Sequence, residues 1–333
     1  MRECNAPASG QQSRIGAGVT RRVLVTGASG FVARALLSAN PVGYEYVTAS
    51  RRGDVGIEGV PWRRSPDLSA SADWEPVLDG IDSVVHLAGR VHLAPDKDAS
   101  AYFTENSDGT VKLAQDAIAA GVKRFVYLST AKALGDESGA TPLAEDAPAR
   151  PGDSYAASKL AAEQGLSSLS GQMQIAILRP PLVYGPGVKA NFLALLSAVA
   201  RGVPLPLASI HNRRSLIGVD NLATAIVACL ESSKAAGRTY FVTDGPPLST
   251  PDLVRAIASA LGKPPRLFAF PPRLLESCGV VIGRAETVKR LTRSLELDDQ
   301  AIRSELGWRP EHTFDAGIAD TVRWYQSLTQ DPY

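Results

Sequence analysis

Short apolar runs alternate with helical patterns along this chain, and that alternation is the tightest constraint on its fold. Val23–Val25, Tyr46–Ala49, Asp82–Gly89, Arg124–Ser129 and Gln174–Leu178 read as strands. Phe31–Ala39, Thr110–Ala120 and Ser154–Ser168 read as helices, and in the second of these Leu113, Ala117 and Ala120 share one face. Strand, helix, strand in this order marks a parallel sheet, because each crossover must return the chain to the same end of the sheet. The expected class is α/β, with a doubly wound parallel sheet. After residue 178 the rhythm breaks. Arg179-Pro-Pro-Leu-Val-Tyr-Gly-Pro-Gly187 holds three prolines and two glycines, which places a lobe boundary there. Beyond it, Asn191–Ala200 and Asn221–Leu230 read as helices and Arg214–Val219 and Thr239–Thr243 as strands. Prolines at 246, 247, 251, 264, 265, 271 and 272 break the next stretch into short helices and loops. The basic stretch Lys289–Arg293 and a closing helix near Phe314–Gln326 finish the chain.

Composition excludes several classes. The 333 residues are 44% hydrophobic and 21% charged, ordinary for a water-soluble protein. A formal net charge of +1 gives no electrostatic reason to bind nucleic acid or an anionic membrane. Cys4, Cys229 and Cys278 are far apart and imply neither disulfides nor zinc. His86 and His92 lack helical spacing and stand beside no acidic cluster, so no metal is expected. No run approaches the ~18 apolar residues of a membrane span. Residues 1–20 lack the apolar core of a signal peptide and read as a flexible tail. A cytoplasmic location is expected.

Two local patterns carry chemistry. Thr26-Gly-Ala-Ser-Gly-Phe-Val-Ala33 comes directly after the first apolar run. Gly27 suits a tight turn, Gly30 lets backbone approach a pyrophosphate, and Ala33 lets helix and strand pack closely. This is the phosphate turn of a Rossmann domain. The second pattern is Tyr155-Ala-Ala-Ser-Lys159, with Thr130 at the end of an upstream strand. A phenol with a pKa near ~10 is a poor base at neutral pH. A lysine ammonium one helical turn away and a nicotinamide cation would favour the phenolate, while Thr130 holds the substrate oxygen. At the end of the second strand, NAD sites place an acid on the ribose 2′-hydroxyl. This chain has Ser50-Arg51-Arg52 and no carboxylate until Asp54, which favours NADP(H), with NAD(H) the alternative. Asp67 and Leu68 come after a short third strand, where an adenine amino group can be bonded.

From about Arg22 to Tyr325 the sequence resembles the extended short-chain dehydrogenase/reductase superfamily, in its sugar-nucleotide epimerase/dehydratase branch. The resemblance rests on the glycine turn, His86-Leu-Ala-Gly89, Asn106-Ser-Asp-Gly-Thr110, Ser129-Thr130 and the Tyr155/Lys159 pair. It continues through Arg179–Pro186 and Arg214–Ala223 to Leu306-Gly-Trp-Arg-Pro310. It implies a Rossmann domain of residues 21–180 plus about 213–245. A smaller α+β nucleotide-sugar lobe would take about 181–212 plus 246–333 and lie against the carboxyl ends of the strands. Tyr155 becomes the acid/base, Lys159 its partner on the nicotinamide ribose, and Thr130 the hydroxyl at the sugar C4 oxygen. Cofactor contacts are implied for Gly27, Ser29, Gly30, Phe31 and Val32 in the turn, for Ser50, Arg51 and Arg52, and for Asp67 and Leu68. Leu87, Ala88, Gly89, Asn106, Lys159 and Pro180 complete that set. Asn191 and Arg214 would hold the nucleotide diphosphate. Lys189 is a lesser candidate, better suited to solvent than to phosphate. A homodimer through the helices at Thr110–Ala120 and Ser154–Ser168 is expected on the same ground.

Two departures narrow the reaction. The 4,6-dehydratases of this branch carry an Asp-Glu pair just after the Thr, where this chain has Ala131-Lys132. The 4-epimerases carry an acid where this chain has Ser50-Arg51, and they must keep their cofactor while the hydride returns to the same sugar. A reductase must exchange it. The run Arg179–Leu193, with Gly202-Val-Pro-Leu-Pro-Leu207 and His86-Leu-Ala-Gly-Arg-Val-His92, is similar to bacterial enzymes of surface-polysaccharide (lipopolysaccharide) synthesis. Among these are reductases that make UDP-N-acetylquinovosamine. The expectation is a UDP-sugar 4-ketoreductase. A UDP-hexose 4-epimerase is the runner-up, and a non-catalytic dinucleotide-binding regulator is the remote alternative.

Overall fold

Val23, Leu24 and Val25 are wholly buried, which explains why the first apolar run lies in the middle of a sheet and not at its rim. The structure is a computed structural model that describes residues 21–39, 43–51, 53–54, 56–91 and 98–330. The expected tail at 1–20, Arg52 and His92 lie outside the described residues. In chain order the first half runs β1 (Arg21–Thr26), α1 (Phe31–Ala39), β2 (Tyr44–Ser50), β3 (Trp62–Arg64), α2 (Glu75–Leu78), β4 (Ser83–His86), α3 (Ala99–Phe103), α4 (Gly109–Ala119), β5 (Arg124–Leu128), α5 (Ser154–Ser167) and β6 (Gln174–Arg179). The second half runs β7 (Leu182–Tyr184), α6 (Ala190–Ala200), β8 (Leu216–Gly218), α7 (Val219–Glu231), β9 (Arg238–Phe241), α8 (Thr250–Ala260), α9 (Pro272–Val281), α10 (Ala285–Thr292), α11 (Gln300–Glu305) and α12 (Phe314–Gln330).

Seven strands form one sheet in the order β3-β2-β1-β4-β5-β6-β9, and every neighbouring pair is parallel. This is the doubly wound Rossmann arrangement. Val32, Leu36 and Leu37 of α1 pack with Leu222, Ile226 and Leu230 of α7 on one face. Leu78, Leu113, Ala117, Ala162 and Leu166, from α2, α4 and α5, cover the other. Each fully buried aliphatic side chain of this kind contributes about 1.5–3 kcal/mol through burial. The chain then builds a separate core from Phe192, Leu196, Val254, Ile257, Ile318 and Val322, on α6, α8 and α12. A two-stranded parallel sheet, β7-β8, lies between these regions in sequence.

Two stretches differ from the sequence reading. The strand expected over Arg214–Val219 shortens to Leu216–Gly218. Arg214 instead exchanges backbone hydrogen bonds with Leu248, at 2.8 and 2.9 Å, which joins the loop to the second core. Ahead of α4 the helix does not begin at Thr110. It continues back through a π-helical turn, Thr104–Asp108, to α3. Such wide turns sit frequently at functional sites, because the extra residue redirects a side chain. Asn106 lies within this turn and is buried.

Candidate active site

Between β1 and β4 the strand order reverses, and the carboxyl ends of these strands open a crevice. Gly27 forms its wall. With φ of +70°, it takes a conformation that L side chains rarely adopt, and a Cβ there would stand 2.7 Å from the Ala88 nitrogen. The two turns at the sheet edge therefore touch through bare backbone. Across the crevice, a Cβ on Gly89 would lie 2.8 Å from Asn106 Oδ1 and 3.5 Å from Lys159 Nζ. The missing side chains leave a cradle that ends at the lysine ammonium. Gly30, Ser29, Phe31 and Val32 form the helix start beside it, with Ser29 exposed and Val32 in the core. This fits a dinucleotide with its pyrophosphate at the helix N-terminus.

The remaining cofactor candidates divide by surroundings. Ser50 closes β2, Arg51 beyond it is exposed, and the Asp54 carboxylate accepts from the Gly56 N–H at 2.9 Å. Asp67 is exposed, whereas Leu68 is buried in the sheet core. Ala88 N–H donates to Thr26 Oγ at 3.2 Å, and the Pro180 carbonyl accepts from Ala131 N–H at 2.9 Å. Leu87 is partly buried against the core. Asn106 is fully engaged within the protein: Oδ1 accepts from Arg90 N–H at 2.7 Å, and Nδ2 donates to the Arg90 carbonyl and Ser158 Oγ, each at 3.0 Å. Its amide shapes the Gly89–Arg90 turn.

Below the crevice His86 is wholly buried. Its Nδ1 lies 2.7 Å from Thr26 Oγ, its Nε2 lies 3.0 Å from Thr110 Oγ, and its ring stacks on Tyr127. Burial, reinforced by the Lys159 ammonium, pushes its pKa down to about 3, so the imidazole is neutral. In the sequence His86 stands out only as a non-ligand and as part of a motif. Its two threonine partners stand 60 and 24 residues away, and nothing local announces them.

Asp153 caps α5, accepting from Ala156 N–H at 2.8 Å, and so fixes the first turn that carries Tyr155. Tyr102 meets the Tyr155 ring edge-on at 6.4 Å. Burial first, and then the Asp153 carboxylate, push the phenol up to about 12. The Thr130 hydroxyl pulls it back by hydrogen bonding. Lys159 is buried, donates to the Leu128 carbonyl at 2.9 Å and lies over the Tyr127 ring, 4.6 Å from its centroid. Burial lowers this ammonium to about 8, against the pull of Glu163. Glu163 itself is buried in a bidentate pair with Arg179 and accepts from Ser129 Oγ. In this ligand-free geometry the lysine faces a carbonyl and a ring, and burial sets the phenol.

On the far side of the crevice, Arg214 donates to the Arg293 carbonyl at 3.0 Å. Burial lowers its guanidinium to about 10; Asp136 opposes the shift and Arg290 adds to it. A buried guanidinium is a donor suited to an anion. In the sequence Arg290 belongs only to a basic stretch, with nothing to mark it as a site residue. Lys189 and Asn191 are exposed around Ala190, whose φ of +53° is left-handed for a residue with a Cβ. Among the described residues no group of three or more His, Cys, Asp or Glu gathers to hold a metal, and no helix is long and apolar enough to cross a membrane.

With this geometry in place, comparison with known proteins is informative. Residues 23–242 match the profile described as the NAD dependent epimerase/dehydratase family. A UDP-glucose 4-epimerase of Vibrio cholerae is 38% identical over 312 residues, 91% of this chain and 95% of that protein. A dTDP-glucose 4,6-dehydratase of Streptomyces griseus is 30% identical, with 92% and 94% covered. Among solved structures, the dTDP-glucose 4,6-dehydratase DesIV of Streptomyces venezuelae, with NAD and TYD bound, superposes with a TM-score of 0.73 at 26% identity. That match covers 93% of this chain and 98% of DesIV.

Proposed function

Because the chain belongs to the NAD dependent epimerase/dehydratase family, we propose that it reduces the 4-keto group of a UDP-linked 6-deoxyhexulose, with NADPH as reductant, in bacterial surface-polysaccharide synthesis. The observation that carries this reading is the end of β2. Ser50 and the exposed Arg51 stand there without a carboxylate, and the nearest one, Asp54, bonds the Gly56 backbone. A guanidinium suits a 2′-phosphate, and an exchangeable NADPH suits net reduction. The Ala131-Lys132 pair after Thr130 supports it by leaving out the acids a dehydratase needs.

The cofactor would lie along the Gly27–Gly89 cradle, and when bound it supplies the hydride for the sugar C4. Thr130 holds the C4 oxygen. Tyr155 gives its proton to that oxygen as negative charge develops on it, and takes a replacement proton from solvent afterwards. Lys159, at the end of the cradle, binds the ribose side of the nicotinamide and brings positive charge near the phenol. Arg214, with Asn191 and Lys189, holds the diphosphate and so orients the sugar. The protein acts as a homodimer through α4 and α5 in the cytoplasm.

A second reading has specific support. The Vibrio relative carries the name UDP-glucose 4-epimerase, and the same Tyr155, Thr130 and Lys159 would serve a transient oxidation at C4. Nicotinamide absorbance separates the two. Purified protein mixed with NADPH and a UDP-4-keto-6-deoxy-N-acetylhexosamine should consume one NADPH per sugar, and NADH more slowly. Interconversion of UDP-hexoses without added reductant, and with no NADPH loss, would overturn the reductase in favour of the epimerase.

A further inference from the structure

We propose that Lys132 is a positioning residue for proton transfer: it locks the Thr130 loop to the first turn of the Tyr155 helix and cancels the Asp153 charge beside the phenol. The inference rests on Tyr155 and Thr130 acting as described above.

Lys132 acts through both ends. Its backbone N–H donates to Thr130 Oγ at 3.3 Å, which occupies an acceptor site on that hydroxyl and leaves its proton free for another oxygen. Its ammonium donates to Asp153 Oδ2 and lies 3.3 Å from Asp136 Oδ1. Asp153 Oδ1 is already spent on the Ala156 N–H. Both carboxylate oxygens are thus committed, one to the helix and one to the loop. One aspartate and one lysine, 21 residues apart, fix the strand-end loop bearing the hydroxyl to the helix bearing the phenol.

The charge arrangement gives this clamp a chemical role. Lys132 Nζ lies 6.0 Å from the centroid of the Tyr155 ring. The groups facing Tyr155 are Thr130 and Lys132 from the loop after β5, and Tyr102 from α3. Tyr127 of β5 is buried behind it, and Asp153 and Lys159 belong to its own helix. Of the carboxylates, Asp153 is the one that bears on the phenol, and it opposes ionisation. Lys132 with Asp153 and Asp136 carries a net charge of −1; without the ammonium the same place would carry −2. An exposed ion pair would matter little. This pair is about three-quarters buried, with side chains 22% and 23% exposed.

The test is the high-pH limb of turnover in the reducing direction, where activity falls as the Tyr155 phenol ionises. It is measured on cofactor-saturated protein for wild type, Lys132→Met, Lys132→Arg, Asp153→Asn and the Lys132→Met/Asp153→Asn double variant. Lys132→Met should raise the limb by about one pH unit, Lys132→Arg should restore it, and Asp153→Asn should lower it. In the Asp153→Asn background, Lys132→Met takes the cluster from a net charge of 0 to −1 and should bring the limb back to about its wild-type position. A uniform loss of rate at every pH with a stationary limb would mean a purely structural clamp and overturn the proposal. If Lys132→Met does not fold, Asp153→Asn decides alone: a lowered limb supports the proposal and a stationary one overturns it. Survival of turnover in Tyr155→Phe would be a different failure, that of the acid/base assignment itself.

Discussion

The two sides of the crevice handle charge in opposite ways. Around Tyr155 and Lys159 charges are joined in side-chain pairs: Lys132 with Asp153 and Asp136, and Glu163 with Arg179. Around Arg214 burial lowers the pKa to about 10, the Asp136 carboxylate opposes that shift, and Arg290, of the same sign, adds to it more weakly. The first arrangement suits moving one proton, because Lys132 offsets the Asp153 charge that bears on the phenol. The second buries a cation whose lost hydration an anionic ligand would offset. The proton-transfer side is thus balanced by side-chain pairs, whereas burial leaves the Arg214 side unbalanced for a ligand to complete.

The largest test of this contrast is Tyr155→Phe. If the balanced side does the chemistry, removing one hydroxyl should lower turnover by about 10²–10⁴-fold. The Gly27–Gly89 cradle is untouched, so cofactor affinity measured by nicotinamide fluorescence should stay nearly constant. Unchanged turnover would move the proton transfer elsewhere.

Arg214→Leu probes the unbalanced side. Loss of a charged hydrogen-bond donor should weaken UDP-sugar binding by about tenfold to a hundredfold, from the ~1.5–3 kcal/mol such a bond contributes. The ligand-free protein should melt at the same temperature or higher, since a buried cation has been removed. Calorimetry with and without UDP checks both arms. A fall in ligand-free stability would show that the Arg293 carbonyl bond and Asp136 outweigh the cost of burial, and the contrast between the two sides would weaken.

That contrast was only half legible in the sequence. The sheet could be read because β1, β4, β5 and β6 are buried on both faces and appear as near-continuous apolar runs. Tyr155 and Lys159 could be read because one helix carries both. The partners of these groups could not. Asp153 and Lys132 belong to different elements, Arg290 bears on Arg214 from a distant part of the sequence, and Asn106 lies in a π turn that has no compositional mark. Lys132, seen in sequence as the absence of a dehydratase acid, acquires a positive role only once Asp153 is beside it. Local periodicity reports backbone and burial; the balance of charge at a site is a long-range property.

Between the two sides lies His86, a titratable group that the fold keeps neutral. An ordinary histidine protonates near ~6.5, while burial holds His86 near a pKa of about 3. Between those values the unfolded chain binds the proton and the folded chain does not. The contribution of His86 is therefore complete above pH 6.5 and is lost as pH falls, by about 2 kcal/mol at pH 5. Urea unfolding at pH 7 and pH 5 should show this difference, and His86→Gln should flatten it. Equal slopes for the two proteins would assign the acid sensitivity to other groups.

The smallest expected effect is at Arg51, the far end of the same crevice, where the logic of the unbalanced side should recur in milder form. Arg51 is exposed, so water screens its charge, and its contribution to a 2′-phosphate is correspondingly smaller than that of a buried guanidinium. Arg51→Ala should lower kcat/KM for NADPH by about tenfold, the equivalent of one modest charged contact, and leave NADH nearly unaffected. The selectivity ratio is the decisive readout, since a general disturbance of the β2 end would depress both cofactors together. Parallel losses would remove the charge argument for NADPH at this strand end, and with it the main reason to prefer net reduction over hydride return.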